Sequence, residues 1–185
     1  MKDGQTKLTD KLSKIRTPGH IAGERAFMRT FLIFVLGLLF GYMAKLFDVK
    51  FDFLGTLFSE MAIWILLCSA IAVFSCSPFR AALNTLLFCL GMLAAYYLTA
   101  MAVEAVWGLS FVYGWTAFSL LSPVFAVLIW YSGGKGSISF ILRVGAAVSV
   151  FAFQFIFFFR LRITDVIIAV LLYILLTSAS KNKSS

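Results

Sequence analysis

The chain alternates between long apolar runs and short polar joints from Ala26 almost to its C-terminus. A helix that crosses a bilayer needs about 20 mostly apolar residues. Six runs meet that requirement, and the joints between them contain glycine, proline or charged residues. We therefore predict an all-α polytopic membrane bundle of six transmembrane helices, at residues 26–45, 57–76, 79–102, 110–131, 137–159 and 163–180.

The first 25 residues are polar and basic, and they lack the short apolar core and cleavage site of a signal peptide. Leu8, Leu12 and Ile15 recur at helical spacing beside lysines, which predicts a short amphipathic helix on the membrane surface. This segment is either a docking arm for a cytoplasmic partner or a solvated tail that reinforces orientation. The predicted organisation is a cytoplasmic tail (1–25), a six-helix membrane domain (26–180) and a disordered cytoplasmic tail (181–185).

Hydrophobic residues make up 62% of the 185 residues and charged residues only 13%, against about 45–50% and about 25% in soluble domains. The net charge is +8, and most lysines and arginines lie in the N-terminal tail or on the same side of the predicted spans. The positive-inside rule therefore places both termini in the cytoplasm, at a plasma membrane with anionic headgroups on its inner leaflet. No basic surface is interleaved with aromatic residues, so nucleic acid is not an expected partner.

Small residues mark predicted helix contacts. Gly37 and Gly41 form a GxxxG pattern in the first span, and Gly91 and Ala95 lie on one face of the third. Since lipid tails are as apolar as the helices themselves, helix association relies on such close approach of backbones. The pattern predicts a contact without naming its partner, which is another helix of this chain, a different protein or a second copy.

Polar side chains within the apolar runs are the candidate ligand-binding residues. Arg80 and Asn84 share one stripe of the third span, and Arg143 and Gln154 lie about 20° apart around the fifth. No acidic residue is expected beside the two arginines on the cytoplasmic side, so they favour an anion such as a lipid phosphate or a substrate carboxylate. The alternatives are structural, since the arginines can reach headgroups or cap carbonyls and Asn84 can bond a neighbouring helix.

Glu60 and Pro123 complete the candidate set. Glu60 lies about one turn inside the second span and Asp165 just inside the sixth, at the level of several Tyr and Trp residues. They either line an outward vestibule for a small cationic or aromatic solute, or belong to a helix cap and the interfacial aromatic belt. Pro123 leaves the carbonyl of Ser119 without its helical donor, which opens the backbone to a solute or a neighbouring helix.

Motifs that carry catalysis are not found in the sequence. The one histidine is His20 in the tail, and neither HExxH, GxSxG nor a Walker-type loop occurs. Cys68, Cys76 and Cys89 lack the CxxC spacing of zinc and redox sites and are expected to pack as small reduced residues. We therefore predict that the protein is not an enzyme and uses no metal or cofactor.

The segments GYMAKLFD, CSPFRAALNTLLFCLGMLAAYYL and LLSPVFAVLIWYSGGKG resemble an uncharacterised family of small multi-pass membrane proteins from Gram-positive bacteria. The resemblance covers about residues 35 to 145 and implies a bacterial membrane location. Chain length, six spans and cytoplasmic termini are also similar to the substrate-binding subunits of energy-coupling-factor vitamin transporters. The alanine-rich coupling motif of those subunits is not evident in the first span.

Two functions follow as hypotheses. The first is a small-solute binding or transport subunit with its site among the second to fifth spans, and it predicts a polar cavity, reached from outside, that contains Glu60 or Gln154. The second is a non-transporting scaffold or regulatory partner of another membrane protein. That function predicts a filled interior in which protein carbonyls or headgroups satisfy Arg143.

Overall fold

The structure is a computed structural model that describes residues 13–51, 55, 57–58, 60–105, 108–159 and 161–182. Within these ranges the regular structure is helical, which confirms the all-α prediction. Among the described residues, six helices exceed ten residues: α1 (Gly23–Lys50), α2 (Met61–Val73), α3 (Pro78–Ala102), α4 (Leu109–Ser132), α5 (Ser137–Phe158) and α6 (Ile163–Asn182).

Five of these helices are long and apolar enough to cross a membrane, which indicates a multi-pass membrane protein. The exception is α2, whose 13 residues span about 20 Å against a hydrocarbon core of about 30 Å. The predicted second span, 57–76, is therefore longer than the helix. Its apolar run continues on both sides, but the backbone is extended at Glu60 and turns at Phe74.

The short helix α2 lies at the centre of the bundle, where it contacts α3, α4, α5 and α6. Eight of its 13 residues are buried, and the side chains of Trp64 and Met61 are almost fully enclosed. The longer helices surround it and present large apolar side chains outward, such as Phe31 on α1 and Ile141 on α5. In a bilayer those outward faces contact lipid.

The turn between α2 and α3 is as tight as the Ser77-Pro78 dipeptide predicts. Pro78 is the first residue of α3, where its missing N–H costs no hydrogen bond. The Ser77 side chain caps the helix by accepting a hydrogen bond from the backbone N–H of Arg80 at 3.2 Å.

The predicted GxxxG contact is made inside the chain, between α1 and α3. A β-carbon on Gly37 would overlap the carbonyl oxygen of Phe88, and one on Gly41 would overlap that of Met92. On the facing helix, a β-carbon on Gly91 would lie 2.9 Å from the carbonyl oxygen of Phe34. These glycines therefore allow α1 and α3 to pack backbone to backbone.

Ala95 lies on α3 one turn after Gly91 and is half-buried. Its carbonyl accepts a hydrogen bond from Thr99 Oγ1 at 2.7 Å.

Both ends of the described chain meet at one end of the bundle. The backbone N–H of Lys135 donates to the carbonyl of Ile15 at 3.1 Å, and Ser180 Oγ donates to the carbonyl of Gly134 at 3.0 Å. We call this the proximal end: it carries residues 13–22, the α2–α3 turn and the α4–α5 turn. The opposite end, where α3 and α5 finish, is the distal end.

Candidate functional site

Arg16 is a buried cation at the proximal end. The residue is only 6% exposed, and its guanidinium donates hydrogen bonds to the carbonyls of Val73, at 2.7 Å, and Trp130. Its Cζ atom also lies 4.2 Å from the centroid of the Trp130 ring, whose Nε1 donates to the carbonyl of Ser75. Burial lowers the pKa of Arg16 to about 10, so the side chain remains charged at neutral pH.

Backbone hydrogen bonds hold the same segment in place. Besides the bond from Lys135 to Ile15, the N–H of Gly19 donates to the carbonyl of Cys76 at 2.8 Å. A β-carbon on Gly134 would overlap the carbonyl oxygen of Ile15, so glycine is required for this approach. The N-terminal segment thus bridges the two proximal turns. The predicted amphipathic helix falls mostly on residues 1–12, outside the described ranges.

Arg143 joins three elements at the proximal end. Its Nε donates to the carbonyl of Ser132 at 2.8 Å, and its Nη2 donates to the carbonyl of Gly134 at 2.7 Å and to Ser180 Oγ at 2.9 Å. The carbonyls of Ser132 and Gly134 lie at the C-terminal end of α4, where carbonyl groups lack donors within the helix. The guanidinium of Arg143 therefore donates hydrogen bonds to protein groups. This arrangement is the structural alternative given in the sequence analysis, in which an arginine caps carbonyls.

Asn84 links α3 to α1 and to the α2–α3 turn, and it is 6% exposed. Its Oδ1 accepts a hydrogen bond from Thr30 Oγ1 at 2.7 Å, and its Nδ2 donates to Ser75 Oγ at 3.2 Å. Arg80 lies one turn earlier on α3 and is half-buried. Both side chains line one cavity of about 280 Å³ between α1, the end of α2 and α3, so this predicted pair is brought together.

Ion pairs and aromatic side chains fill the distal end. The Glu60 carboxylate, in a residue 5% exposed, lies 2.7 Å from Nη1 of Arg162. Asp165 Oδ2 accepts a hydrogen bond from the backbone N–H of Arg162 at 2.7 Å, which caps the start of α6. Lys45 pairs with Asp48 at 2.7 Å.

The cavity beside the distal aromatic residues is small. Its volume is about 20 Å³, close to the minimum for one water molecule. The side chains around it are those of Phe58, Trp64, Met92, Leu93, Tyr96, Tyr97 and Trp115. The group contains Tyr96, Tyr97 and Trp115 of the predicted aromatic level, and the space among these described side chains is smaller than a solute requires.

Gln154 lies within the bundle with 0% exposure, and neither its Nε2 nor its Oε1 has a hydrogen-bond partner. It is eleven residues beyond Arg143 on α5, which separates the two by about 16 Å along the helix axis. Neither Gln154 nor Glu60 lines the proximal cavity or the larger interior cavity described next. The structure therefore distributes the candidate residues over several places instead of one site.

Pro123 follows Ser122, which lines a cavity of about 290 Å³ in the apolar interior. The carbonyl of Ser119, which loses its helical donor to Pro123, accepts a hydrogen bond from Ser122 Oγ at 2.8 Å. The cavity lies between α2, α3, α4 and α5. Its walls are mainly apolar and include Ile65, Phe118, Phe125, Ile129, Leu142 and Phe153.

Thr85 and Ser69 give this interior cavity its polar character. Thr85 is 1% exposed and its Oγ1 has no hydrogen-bond partner, and within the described ranges Ser69 Oγ also makes no hydrogen bond. Many other helical hydroxyls donate to a carbonyl of their own helix, namely those of Thr30, Thr99, Thr116, Ser119, Ser122, Ser132, Ser149 and Thr177, whereas Thr164 Oγ1 at the start of α6 also has no partner. Ser69 on α2 and Thr85 on α3 thus bring two hydroxyls without a partner among the described residues to the wall of one cavity.

Sequence reasoning missed Arg16, Ser69 and Thr85. Comparisons of the chain with models of known protein families, with curated proteins and with solved structures give no match. A function for this chain consequently rests on its own residues and contacts.

Proposed function

We propose that this chain is a small-solute binding or transport subunit of a bacterial plasma membrane, and that its ligand is an apolar molecule bearing one hydrogen-bonding group. The observation that carries the proposal is the interior cavity of about 290 Å³ with the unpaired hydroxyl of Thr85 in its wall. A buried hydroxyl without a partner costs about 1–3 kcal/mol. A ligand hydroxyl, carbonyl or amide in the cavity removes that cost.

The exposed residues of the cavity wall define its entrance. Ile141 and Leu128 are exposed on the outer surface of α5 and α4, and a β-carbon on Gly145 would meet nothing within 4 Å. This surface belongs to helices that are apolar enough to cross a membrane. The ligand therefore enters sideways from the bilayer, which suits a molecule that partitions into lipid.

In this proposal the proximal end faces the cytoplasm and α2 completes a sixth crossing. Contacts between Thr30 and Asn84 and between Gly41 and Met92 show that α1 and α3 run in the same direction. The chain must return across the bundle between them, and α2 is the helix that does so. The basic N-terminal segment supports a cytoplasmic position for this end.

Photolabelling tests the proposed site. The probe is a long-chain alcohol that carries a diazirine, added to the purified full chain in detergent and mapped by mass spectrometry of peptides. We expect labelling near Thr85 and Gly145, displaced by unlabelled alcohol. Thr85→Val and Ser69→Ala should each weaken binding about fivefold, because a neutral hydrogen bond contributes about 1 kcal/mol.

Thr177→Val is the matched control, since the Thr177 hydroxyl donates to the carbonyl of Tyr173 in its own helix at 2.8 Å. It should leave labelling unchanged. Labelling spread evenly over the outer faces of the helices, with the same pattern in Thr85→Val and Thr177→Val, would contradict the proposal.

A second function, that of a membrane scaffold or regulatory partner, is favoured by Arg143. Protein carbonyls and Ser180 satisfy its guanidinium, as expected if the proximal end is purely structural. Purification of the tagged full chain from its native membrane after crosslinking tests this alternative. One stoichiometric protein partner, together with no specific photolabelling of the interior cavity, would favour the scaffold over the binding subunit.

A further inference from the structure

We infer that the proximal cavity, distinct from the interior one, binds an anionic phosphate group, and that its occupant is the headgroup of an anionic phospholipid. The cavity has a volume of about 280 Å³. Two arginines, Arg29 on α1 and Arg80 on α3, form its charged walls, and Asn84 lies deeper. Among the described residues that line it there is no carboxylate.

Arg29 and Arg80 differ from Arg16 and Arg143 of the proximal end because no described residue partners their guanidinium groups. Arg16 and Arg143 donate to backbone carbonyls. Within the described ranges, the guanidinium groups of Arg29 and Arg80 make neither an ion pair nor a hydrogen bond. Two guanidinium groups that share one cavity and have no partner provide several N–H donors for a phosphate, whose geometry they match.

The start of α3 adds to the positive potential beside this cavity. Arg80 lies in the first turn of α3 and Cys76 two residues before the helix, and both line the cavity. The N-terminus of a helix carries a partial positive charge, which favours an anion. This effect reinforces the pair of arginines and is not needed to define the site.

The remaining walls suit the apolar part of a lipid. Ile33, Ile71 and Phe74 line the cavity together with the arginines. Arg29 lies six residues after the start of α1, about 9 Å along the helix, so the charged rim is near the expected level of the headgroups. A phosphate at the rim with chains along the apolar wall fits this arrangement better than a fully water-soluble anion.

Native mass spectrometry of the full chain, exchanged into phosphatidylglycerol or phosphatidylcholine, tests this inference. We expect retained phosphatidylglycerol at one site and weaker retention of phosphatidylcholine. Arg80→Gln and Arg29→Gln should each reduce retention about fivefold, and Arg80→Lys should keep most of it because the charge remains. Arg25→Gln is the matched control, since Arg25 is exposed on the same helix as Arg29 and does not line the cavity.

Cys76 supplies an independent readout. It lines the cavity and is half-buried, whereas Cys68 and Cys89 are buried. Bound phosphatidylglycerol should slow the reaction of Cys76 with a maleimide in the wild-type chain and not in Arg29→Gln/Arg80→Gln. Because this readout compares a folded variant with and without lipid, it does not depend on equal stability of the variants.

The source of the phosphate is assigned by competition. Displacement of phosphatidylglycerol by inorganic phosphate or glycerophosphoglycerol would keep the anion site and assign it to a soluble phosphate. Resistance to both would assign it to the lipid. Equal retention of the two phospholipids, or equal losses in Arg25→Gln and Arg80→Gln, would overturn the inference.

Discussion

The two ends of the bundle use charged side chains in different ways. At the proximal end, Arg16 and Arg143 donate to backbone carbonyls, and Arg80 has no protein partner within the described ranges. At the distal end, the cations Lys45 and Arg162 pair with carboxylates. The proximal end thus keeps its positive charge, whereas the distal charges neutralise one another.

This difference explains how the same residue types can serve separate purposes. An arginine bonded to carbonyls ties chain segments together and still presents a net charge to the membrane surface, where anionic lipids lie. A buried arginine–carboxylate pair closes an end of the bundle without leaving net charge. The proximal end is therefore suited to interaction with anions, and the distal end to closure by aromatic packing.

The largest effect is expected from Arg16→Met, which removes the donors to Val73 and Trp130 and the contact with the Trp130 ring. Hydrogen bonds from a charged group contribute about 1.5–3 kcal/mol each, and the two carbonyls lose their partners. We expect the free energy of unfolding to fall by about 3 kcal/mol, measured by denaturant unfolding in detergent. The expected cause is release of the N-terminal segment, which exposes Cys76 to maleimide.

Two glycine substitutions serve as independent controls for that prediction. Gly134→Ala should displace the same segment, since its β-carbon would overlap the carbonyl of Ile15, and should also expose Cys76. Gly145→Ala adds the same atom where nothing lies within 4 Å and should leave Cys76 protected. Unchanged stability and Cys76 reactivity in Arg16→Met would mean that the segment does not close the proximal end.

Removal of the distal ion pair between Glu60 and Arg162 should have a smaller effect on the free energy of unfolding. In a double-mutant cycle with Glu60→Gln and Arg162→Gln, we expect a coupling free energy of about 1 kcal/mol. The Arg162 side chain is 29% exposed, so the coupling should decrease as salt concentration rises. As a control, a cycle that combines Glu60→Gln with Arg25→Gln should give no coupling free energy. A similar coupling free energy in both cycles would contradict the distinction between the two ends.

The sequence predicts the fold well because its apolar runs are long and well separated. The bounds of α3, α4 and α5 agree with the predicted spans to within one or two residues. The second span differs because an apolar run shows only that side chains avoid water. It does not show how much of the run is helical: within 57–76 only Met61–Val73 form α2, and most of these residues are enclosed by other helices.

The candidate residues are predicted less completely, and the reason is physical. Asn84 and Arg143 stand out because polar side chains are costly within apolar runs. Arg16 lies in a basic tail, where an additional arginine gives no signal. The free hydroxyl of Thr85 cannot be predicted either, because a helical threonine commonly satisfies itself with a carbonyl of its own helix.

An effect of about the same size, but of opposite sign for two buried amides, is expected for Gln154 and Asn84. Both amides are buried, but Asn84 has two hydrogen-bond partners and Gln154 has none. Gln154→Leu should therefore raise the free energy of unfolding by about 1 kcal/mol, because an unpaired amide is replaced by an apolar group. Asn84→Leu should lower it by about 1 kcal/mol, through loss of interhelical hydrogen bonds.

Denaturant unfolding of both variants under the same conditions gives the comparison. Changes of opposite sign in the free energy of unfolding would mean that the Asn84 amide holds α1 and α3 together, whereas the Gln154 amide makes no such link. A loss of stability in Gln154→Leu comparable with that in Asn84→Leu would show that Gln154 has a partner in the membrane, such as a water molecule or a bound solute. The distal half of α5 would then need to be treated as part of a polar site.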